Sequence, residues 1–290
     1  MSDLSSLRSC PYDGANEHVY SKEDFQAIAK LVYATAGIVL SDGKSMLVYS
    51  RLAKRLREHG LTRFSDYITM LETNSEERKL AVAALTTNHT RFFREGHHFE
   101  HFEKHVRQTL VDQAYMSEPV RIWSAGCSSG EEVFSLTMTL LGKDKAAGQQ
   151  LARKNIAILA SDLADHAVDH GTAAQYAREV GELVPDQLKS LWMSETSDGL
   201  EMSAIPKSLV RFRQLNLLGQ WPFRRPFDVI FCRNTMIYFD NPTKAKLLLR
   251  FADQLVPGGY LYIGHSERLV GSVSEQFELV GNTIYRKLGG

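Results

Sequence analysis

Over residues 20–113 the hydrophobic positions recur at the three-and-four spacing of amphipathic helices. Ser21 followed by Asp24 is a typical helix start, and Gly37 is a typical stop signal. The pattern predicts helices over residues 21–37, 43–59, 64–72, 76–85 and 96–113. The chain therefore begins with a small helical domain followed by a connecting helix.

After Pro119 the pattern changes to short β-rich runs that alternate with helical stretches. Strands are predicted over residues 120–124, 156–161, 227–232 and 259–264, and helices over 131–141 and 243–255. This alternation predicts an α/β fold with a mostly parallel, doubly wound sheet. Gly281-Asn282 lies between two further β-rich runs, 276–280 and 283–287, which predicts an antiparallel hairpin at the end of the sheet.

A second, smaller hairpin is expected between the sheet elements, where Ser197-Asp198-Gly199 precedes the β-prone pieces 200–204 and 210–212. The predicted organisation is an N-terminal tail over residues 1–19, a helical domain over 20–95, and a connecting helix and linker over 96–118. An α/β domain follows over 119–290, with a small β-insertion at about 190–212.

The composition is that of an ordinary folded protein. Hydrophobic residues make up 43% and charged residues 23% of the 290 positions, which excludes a disordered or collagen-like chain. The charge-free runs are shorter or more broken than the roughly 18 apolar residues that a spanning helix needs. The first ten residues contain no apolar export segment, so we expect a cytoplasmic protein without membrane insertion. Three cysteines without a C-x-x-C motif predict free thiols.

The charges balance at 34 basic and 34 acidic residues, which argues against nucleic acid as a partner. Residues 44–63 are locally basic, and Lys44, Arg51, Lys54 and Arg55 share one face of a predicted helix. This stripe is either a solvated face or a docking site for an acidic partner. His97, His98, His101 and His105 also share a predicted helix, but no recognisable zinc motif accompanies them, so no metal site is predicted.

The loop after the first predicted strand, residues 125–130, allows three interpretations. A dinucleotide fold requires G-x-G-x-x-G, but Ser128 occupies the second glycine position. The segment also contains the G-x-S-x-G motif of α/β-hydrolases, and Ser128, Asp228 or Asp240, and His265 follow the triad order of that family. Against this interpretation, the motif follows the first strand of the sheet and no oxyanion loop precedes it.

The third interpretation is an S-adenosylmethionine site. Such a site needs a tight turn after the first strand and an acid after the second to bind the ribose hydroxyls. Gly126 and Gly130 can provide the turn, and Asp162 closes the second strand. Asp162 can also cap the helix that follows it, and the two roles are compatible.

Four separated motifs closely resemble, in order, those of the bacterial chemotaxis-receptor methyltransferases of the CheR type. They are 87–95 (TNHTRFFRE), 123–132 (WSAGCSSGEE), 216–217 (NL) and 232–239 (CRNTMIYF). The resemblance runs from about residue 20 to the end. It implies a helical domain, a class I methyltransferase sheet with a β-insertion, and S-adenosylmethionine-dependent methyl esterification of receptor glutamates with S-adenosylhomocysteine as product. A non-catalytic module that binds the cofactor as a signal is the remaining alternative.

The resemblance also implies roles for individual residues. Arg94 and Tyr238 would face the reacting centre. If the basic stripe docks an acidic substrate surface, Arg51, Lys54 and Arg55 are the residues expected to do so. Together with Gly126 of the turn, the implied cofactor contacts are Asn88, Thr90, Arg94, Glu132, Asp162, Asn216, Leu217, Cys232, Arg233 and Asn234. The expected partners are the cytoplasmic domains of methyl-accepting chemotaxis receptors, bound by a monomer. The insertion over 192–212 departs from the family pattern, which leaves binding of a receptor tail open. Nucleic-acid methylation is disfavoured because Arg233-Asn234-Thr235-Met236 replaces the N-P-P-Y-like motif of those enzymes.

Overall fold

The computed structural model describes residues 18–86 and 88–289. Residues 1–17, with Cys10 and most of the predicted tail, lie outside the described part, as does Thr87 of the first motif. The chain divides into two compact units, Met1–Thr87 and Asn88–Gly290. The second unit begins before the predicted boundary at residue 95, because Phe92 belongs to the hydrophobic core of the sheet and Phe93 packs against it.

The first unit is helical. Its first helix begins with a capping box, in which Ser21 Oγ accepts from the Asp24 amide and Asp24 Oδ2 accepts from the Ser21 amide. It ends at Gly37, whose φ is +67°. The helices are α1 (Lys22–Ala36), α2 (Ser45–Glu58), α3 (Phe64–Thr73) and α4 (Ser75–Leu85), with a short 3₁₀ turn over Asp42–Lys44.

The second unit contains a seven-stranded sheet with the order β6-β2-β1-β7-β8-β10-β9. Its strands are β1 (Val120–Ala125), β2 (Ile156–Asp162), β6 (Val210–Gln214), β7 (Phe227–Cys232), β8 (Leu255–Ile263), β9 (Phe277–Gly281) and β10 (Ile284–Lys287). The first five strands of that order are parallel, and β10 is antiparallel to both of its neighbours. The predicted α/β fold and closing hairpin are confirmed, although the hairpin loop is Asn282-Thr283.

Helices and short turns connect the strands. They are α5 (His97–His101), a π-helical turn over Phe102–Val106, α6 (Arg107–Tyr115), α7 (Glu131–Leu141), α8 (Lys145–Leu151), α9 (Asp165–Ala173), α10 (Arg178–Gly181), α11 (Asp186–Trp192), α12 (Ala204–Leu209) and α13 (Asn241–Asp253), with 3₁₀ turns over Met236–Tyr238 and Ser272–Gln276. None of the helices in the described ranges is both long and apolar enough to cross a membrane.

The small hairpin expected at Ser197-Asp198-Gly199 is present, and the Thr196 amide donates to the Gly199 carbonyl across its turn, but residues 210–212 do not belong to it. β5 (Leu200–Met202) forms a separate three-stranded sheet with β3 (Gln175–Tyr176) and β4 (Met193–Glu195). Helix α12 intervenes, and β6 pairs in parallel with β2 at the edge of the large sheet. Ile158 of β2 and the inward-facing Val210 and Phe212 of β6 belong to one core, and this burial determines the pairing.

Candidate active site

The site lies where the carboxyl ends of β6, β2, β1 and β7 meet. The register pairs Ala125 with Ser161 and Asp162 with Gln214, so the loops that follow these strands are neighbours. The chain moves from β1 to β2 and β6 on one side and then returns to β7 on the other side. Ligands of open α/β sheets bind at such a reversal point.

The loop after β1 contains three residues with positive φ, namely Gly126, Ser128 and Gly130. Gly126 has φ +82°, and a Cβ at this position would clash with the Thr235 side chain. Ser128 has φ +50°, which is uncommon for a residue with a side chain. Asp162 Oδ2 accepts a hydrogen bond from the Ser128 amide at 2.9 Å, and Asp162 Oδ1 accepts from the Ala164 amide at 3.0 Å. The buried Asp162 carboxylate therefore joins the loop to the end of β2, and burial raises its pKa.

The residues of the hydrolase interpretation are engaged in other contacts. Ser128 Oγ donates to the Asn88 carbonyl at 2.8 Å, and His265 Nδ1 lies 2.9 Å from Glu95 Oε1. Asp240 accepts from the Thr243 amide as the cap of α13. Asp228 accepts from the Arg121 amide at the amino end of the strands, a full strand length from the loop of Ser128. The geometry does not favour a serine hydrolase.

The segment that precedes α5 is strained. Phe93 and Glu95 have φ of +50° and +58°, so both residues that flank Arg94 adopt the left-handed backbone conformation. Such conformations in residues other than glycine cluster at functional sites and persist only where the surroundings fix them. Arg94 Nη1 donates to the His89 carbonyl at 3.0 Å, while the Phe93 amide donates to Ser135 Oγ at 2.9 Å.

Arg233 connects this segment to the end of β7. Its side chain is 1% exposed, and its guanidinium lies 3.2 Å from Glu132 Oε2 and 3.2 Å from Glu95 Oε2. Its Nη2 also donates to the Arg94 carbonyl. Glu132 accepts a further hydrogen bond from Ser124 Oγ at 2.7 Å. Burial raises the pKa of Glu132, and the Arg233 charge opposes this effect.

Glu95 is the second carboxylate of this cluster. Besides Arg233 and His265, it accepts from Asn234 Nδ2 at 3.3 Å. Burial raises the pKa of Glu95, but the charge of Arg233 and the hydrogen bond from His265 outweigh burial and bring the pKa to about 2. Glu95 is therefore ionised at neutral pH.

Glu267 holds the loop after β7. Its Oε2 accepts from the Asn234 amide at 3.1 Å and the Gly264 amide at 2.6 Å, and its Oε1 accepts from the Ile237 amide at 3.1 Å. Asn234 has φ +56°, and a Cβ on Gly264 would lie 2.7 Å from the Asn234 amide nitrogen. The buried carboxylate thus fixes the turn that carries the half-buried Tyr238.

Asn216 and Leu217 follow β6 directly. The Leu215 amide donates to the Asp162 carbonyl at 2.8 Å, so this segment lies beside the end of β2. Asn216 Oδ1 accepts from the Leu218 amide, and Arg250 donates to the carbonyls of Leu217 and Gly219. A cavity of about 420 Å³ lies nearby, lined by Asn88, Ser129, Glu131, His166, Ala167, His170, Tyr176, Ala177 and Val180. Asn88 Nδ2 lies 3.4 Å from His166 Nε2 at this cavity.

Sequence comparison assigns the chain to a family. Residues 23–86 match the all-alpha domain of CheR methyltransferases, and residues 88–286 match the SAM binding domain of CheR methyltransferases. The chain is 39% identical over 280 residues to chemotaxis protein methyltransferase 2 of Pseudomonas aeruginosa, covering 95% of this chain and 96% of that protein. It is 39% identical over 272 residues to the chemotaxis protein methyltransferase of Escherichia coli K12, covering 91% of each.

The chain belongs to the CheR methyltransferase family. The resemblance seen in the sequence motifs is thereby confirmed, as is S-adenosylmethionine as the cofactor. The protein is an S-adenosylmethionine-dependent methyltransferase of chemotaxis.

The charges at the carboxyl ends of the strands suit this cofactor. Acidic side chains outnumber basic ones around these loops, with Glu95, Glu131, Glu132, Asp162 and Glu267 against Arg94, Arg233 and Arg250. S-adenosylmethionine carries a sulfonium, an ammonium and one carboxylate, so its net charge is positive. A site with excess negative charge favours such a ligand.

In this CheR-family enzyme Cys127 and Cys232 are buried, and two histidines of the cluster contact neighbouring hydroxyl groups. Burial raises the pKa of the Cys127 and Cys232 thiols, which are therefore neutral at neutral pH. His98 Nε2 lies 3.0 Å from Thr283 Oγ1, and His101 Nδ1 lies 2.9 Å from Tyr262 Oη. Across the described ranges, no group of three or more histidine, cysteine or acidic side chains is arranged to hold a metal ion.

In the helical unit, the residues of the predicted basic stripe differ in their contacts and exposure. Arg51 Nη1 donates to the carbonyls of Leu85 and Thr86 at the end of α4. Arg55 pairs with the buried Glu77, which also accepts from Tyr67 Oη at 2.6 Å. Lys54 is different, because its side chain is 78% exposed. Arg51 and Arg55 therefore stabilise the helical unit, whereas Lys54, whose Nζ lies 4.0 Å from Glu58 Oε1, remains at the surface.

Proposed function

We propose that this protein transfers the methyl group of S-adenosylmethionine to glutamate side chains of chemotaxis receptors, forming glutamyl methyl esters. The main support is a set of contacts made by Arg233, which precedes the loop that leads to Tyr238. Its guanidinium contacts the Arg94 carbonyl and the Glu95 carboxylate, and so connects the strained Arg94 segment to that loop. Both side chains thereby belong to pre-organised segments at the carboxyl ends of the strands. The names of the relatives, chemotaxis protein methyltransferases, agree with this proposal.

Methylation of a glutamate needs no general base. The substrate carboxylate has an ordinary pKa near ~4.3 and is ionised at neutral pH. The cofactor supplies an electrophilic sulfonium methyl. The protein has to hold the carboxylate oxygen in line with the methyl carbon and to replace the water around it with fixed donors. Arg94 would orient the carboxylate through its guanidinium fork, and the Tyr238 hydroxyl would donate or stack nearby.

The cofactor is assigned to the residues around the reversal point of the sheet. Asp162 would accept hydrogen bonds from the ribose hydroxyls. A carboxylate has about four acceptor positions, and the backbone hydrogen bonds from Ser128 and Ala164 occupy two of them. The other proposed contacts are Asn88, Thr90, Arg94, Gly126, Glu132, Asn216, Leu217, Cys232, Arg233 and Asn234. S-adenosylhomocysteine is the product.

The proposed partners are the cytoplasmic domains of methyl-accepting chemotaxis receptors, met in the cytoplasm by a monomeric enzyme. An acidic receptor surface would meet the basic stripe, where Lys54 provides the exposed charge and Arg51 and Arg55 provide partly exposed ones. Charges of this kind act mainly on the rate of encounter.

Incubation with methyl-labelled cofactor and receptor-rich membranes tests the proposal. We expect label on the receptor that alkali releases as methanol, with activity largely retained in Ser128→Ala. Label that resists alkali would exclude a carboxyl ester. If Ser128→Ala lost all transfer and the wild type reacted with a serine-directed phosphonate, the hydrolase interpretation would be favoured. Binding of S-adenosylhomocysteine without any transfer would indicate the non-catalytic module.

A further inference from the structure

A second cavity lies at the opposite edge of the sheet, at the amino ends of β1 and β7. It has a volume of about 290 Å³ and is lined by Arg121, Pro222, Phe223, Arg224, Arg225 and Phe227. Three of the six lining residues are arginines and none is acidic. The full sequence has equal numbers of basic and acidic residues, so this cavity is locally basic.

The three guanidinium groups have no hydrogen-bonded partner in the described part of the chain, although the charge of Arg121 interacts with the nearby Asp228 carboxylate. Within residues 18–86 and 88–289, no side-chain hydrogen bond or ion pair engages Arg121, Arg224 or Arg225, and the buried Nε of Arg121 is without an acceptor. The nearby Asp228 carboxylate accepts from the Arg121 backbone amide at 2.7 Å and from Gln113 Nε2 at 3.2 Å. A buried donor without an acceptor is costly, so this cavity favours a ligand that brings one.

The loop that carries two of these arginines is anchored. Trp221 stacks on Phe251 at 5.4 Å between ring centroids, and the Arg250 guanidinium lies 3.8 Å from the Trp221 ring centroid. Phe223 packs edge-on against Trp123 and Phe227. These contacts fix the backbone that carries Arg224 and Arg225 before any ligand binds. Less conformational entropy is therefore lost on binding.

We propose that this cavity binds a small molecule of the nucleotide class, with its phosphate on the three arginines. Guanidinium groups match the geometry of phosphate oxygens, and Pro222, Phe223 and Phe227 provide an apolar wall for the base. The volume lies at the lower end for ligand pockets, which fits a mononucleotide better than a peptide segment. The site is separate from the candidate active site, because it lies at the other ends of β1 and β7.

Calorimetric titration with GMP tests this proposal, with saturating S-adenosylhomocysteine present so that the cofactor site is occupied. We expect saturable binding that weakens by about tenfold or more in Arg224→Gln/Arg225→Gln, whose exposed side chains are not needed for folding. The control Arg153→Gln/Arg286→Gln removes the same charge from exposed positions outside the cavity and should bind GMP as the wild type does.

Three further probes define the ligand. Guanosine without phosphate should bind at least about tenfold more weakly than GMP. Inorganic phosphate that bound as tightly as GMP would overturn the nucleotide assignment, and a glutamate-rich peptide that displaced GMP at lower concentration would overturn the small-molecule assignment. Absence of GMP binding at millimolar concentration, or equal affinity in the Arg224/Arg225 variant, would overturn the site itself.

Discussion

Arg233 and Glu132 form a buried ion pair, with 3.2 Å between Nη1 and Oε2. Arg233 comes directly after β7 and Glu132 lies in the first turn of α7, so the pair joins two segments at the edge of the sheet where the cofactor site is proposed. Because the same guanidinium also contacts Glu95 and the Arg94 carbonyl, one side chain organises residues from three parts of the sequence.

Replacing Arg233 should therefore be costly. Arg233→Gln leaves the buried Glu132 without a cation and removes the guanidinium from the largely buried Glu95, and we expect a loss of about 3 to 5 kcal/mol in the free energy of unfolding. Arg233→Lys keeps the positive charge but lacks the planar guanidinium with its several N–H donors. It should therefore recover part of the free energy of unfolding while turnover stays low. Urea denaturation and methylation assays measure both effects, with the exposed Arg286→Gln as control. Wild-type turnover in a stable Arg233→Lys variant would contradict the organising role.

Acid should destabilise the protein through two groups. Burial and the Arg233 charge lower the pKa of His98 to about 3, so the folded state disfavours a proton that the unfolded state binds below about 6.5. The pKa of Glu95 lies at about 2, which adds a second loss below about 4.5. The free energy of unfolding should fall as pH decreases from 6.5 towards 3, and then further towards 2. In His98→Gln the slope between pH 6.5 and 4.5 should be shallower, as urea titrations at each pH would show. An unchanged slope would mean that His98 does not contribute.

Asp162 should act on both the cofactor and its own loop. Asp162→Ala removes charge-assisted hydrogen bonds worth roughly 1.5 to 3 kcal/mol, so the affinity for S-adenosylhomocysteine should fall about ten- to a hundredfold. Asp162 does not cap α9, whose N-cap is Ala164, and it holds the loop through the Ser128 and Ala164 amides. Asp144→Ala is the control, because Asp144 also accepts from a backbone amide, that of Ala147, but lies outside the proposed cofactor site. Calorimetry should show unchanged affinity in Asp144→Ala. Equal affinities in both variants would indicate that Asp162 only holds its own loop.

Much of the fold could be predicted because its signals are local. The capping box of α1, the strands β1, β2 and β7 and the closing hairpin all follow from short-range patterns of polarity and turn residues. The small hairpin at residues 197–199 was also predicted, but the assignment of residues 210–212 to it was wrong, because β6 and β5 have similar β propensity. Only the tertiary packing of Val210 and Phe212 against the main core assigns β6 to the large sheet.

The motifs indicated the place of the site but not its supporting contacts. Glu267 fixes Asn234 from 33 positions away, and His265 meets Glu95 from 170 positions away. Contacts of that sequence separation leave no local signal. Asn234 gave a local signal for the turn after β7, since asparagine tolerates positive φ better than most residues. Likewise, the spacing of the basic stripe could not reveal that Arg55 pairs with Glu77.

The basic stripe can be tested through its exposed lysines. Lys44→Glu/Lys54→Glu should lower receptor methylation at subsaturating receptor and low salt, and leave cofactor affinity and stability unchanged. Lys22→Glu/Lys30→Glu reverses the same charge at exposed positions of α1 and should methylate normally. Arg55→Ala, in contrast, should destabilise the helical unit by about 2 to 4 kcal/mol, because Glu77 is buried. Normal methylation by the Lys44/Lys54 variant would show that the stripe is only solvated.

The most direct test of the proposed function is mass spectrometric mapping of receptor cytoplasmic domains after incubation with the enzyme and S-adenosylmethionine. We predict a mass gain of one methylene on glutamate side chains, lost on alkaline treatment. In Arg94→Ala the gain should be strongly reduced even at saturating receptor, while Arg91→Ala, which changes a neighbouring exposed arginine, should retain it. Methylation confined to residues other than glutamate, or full glutamate methylation by Arg94→Ala, would contradict the account.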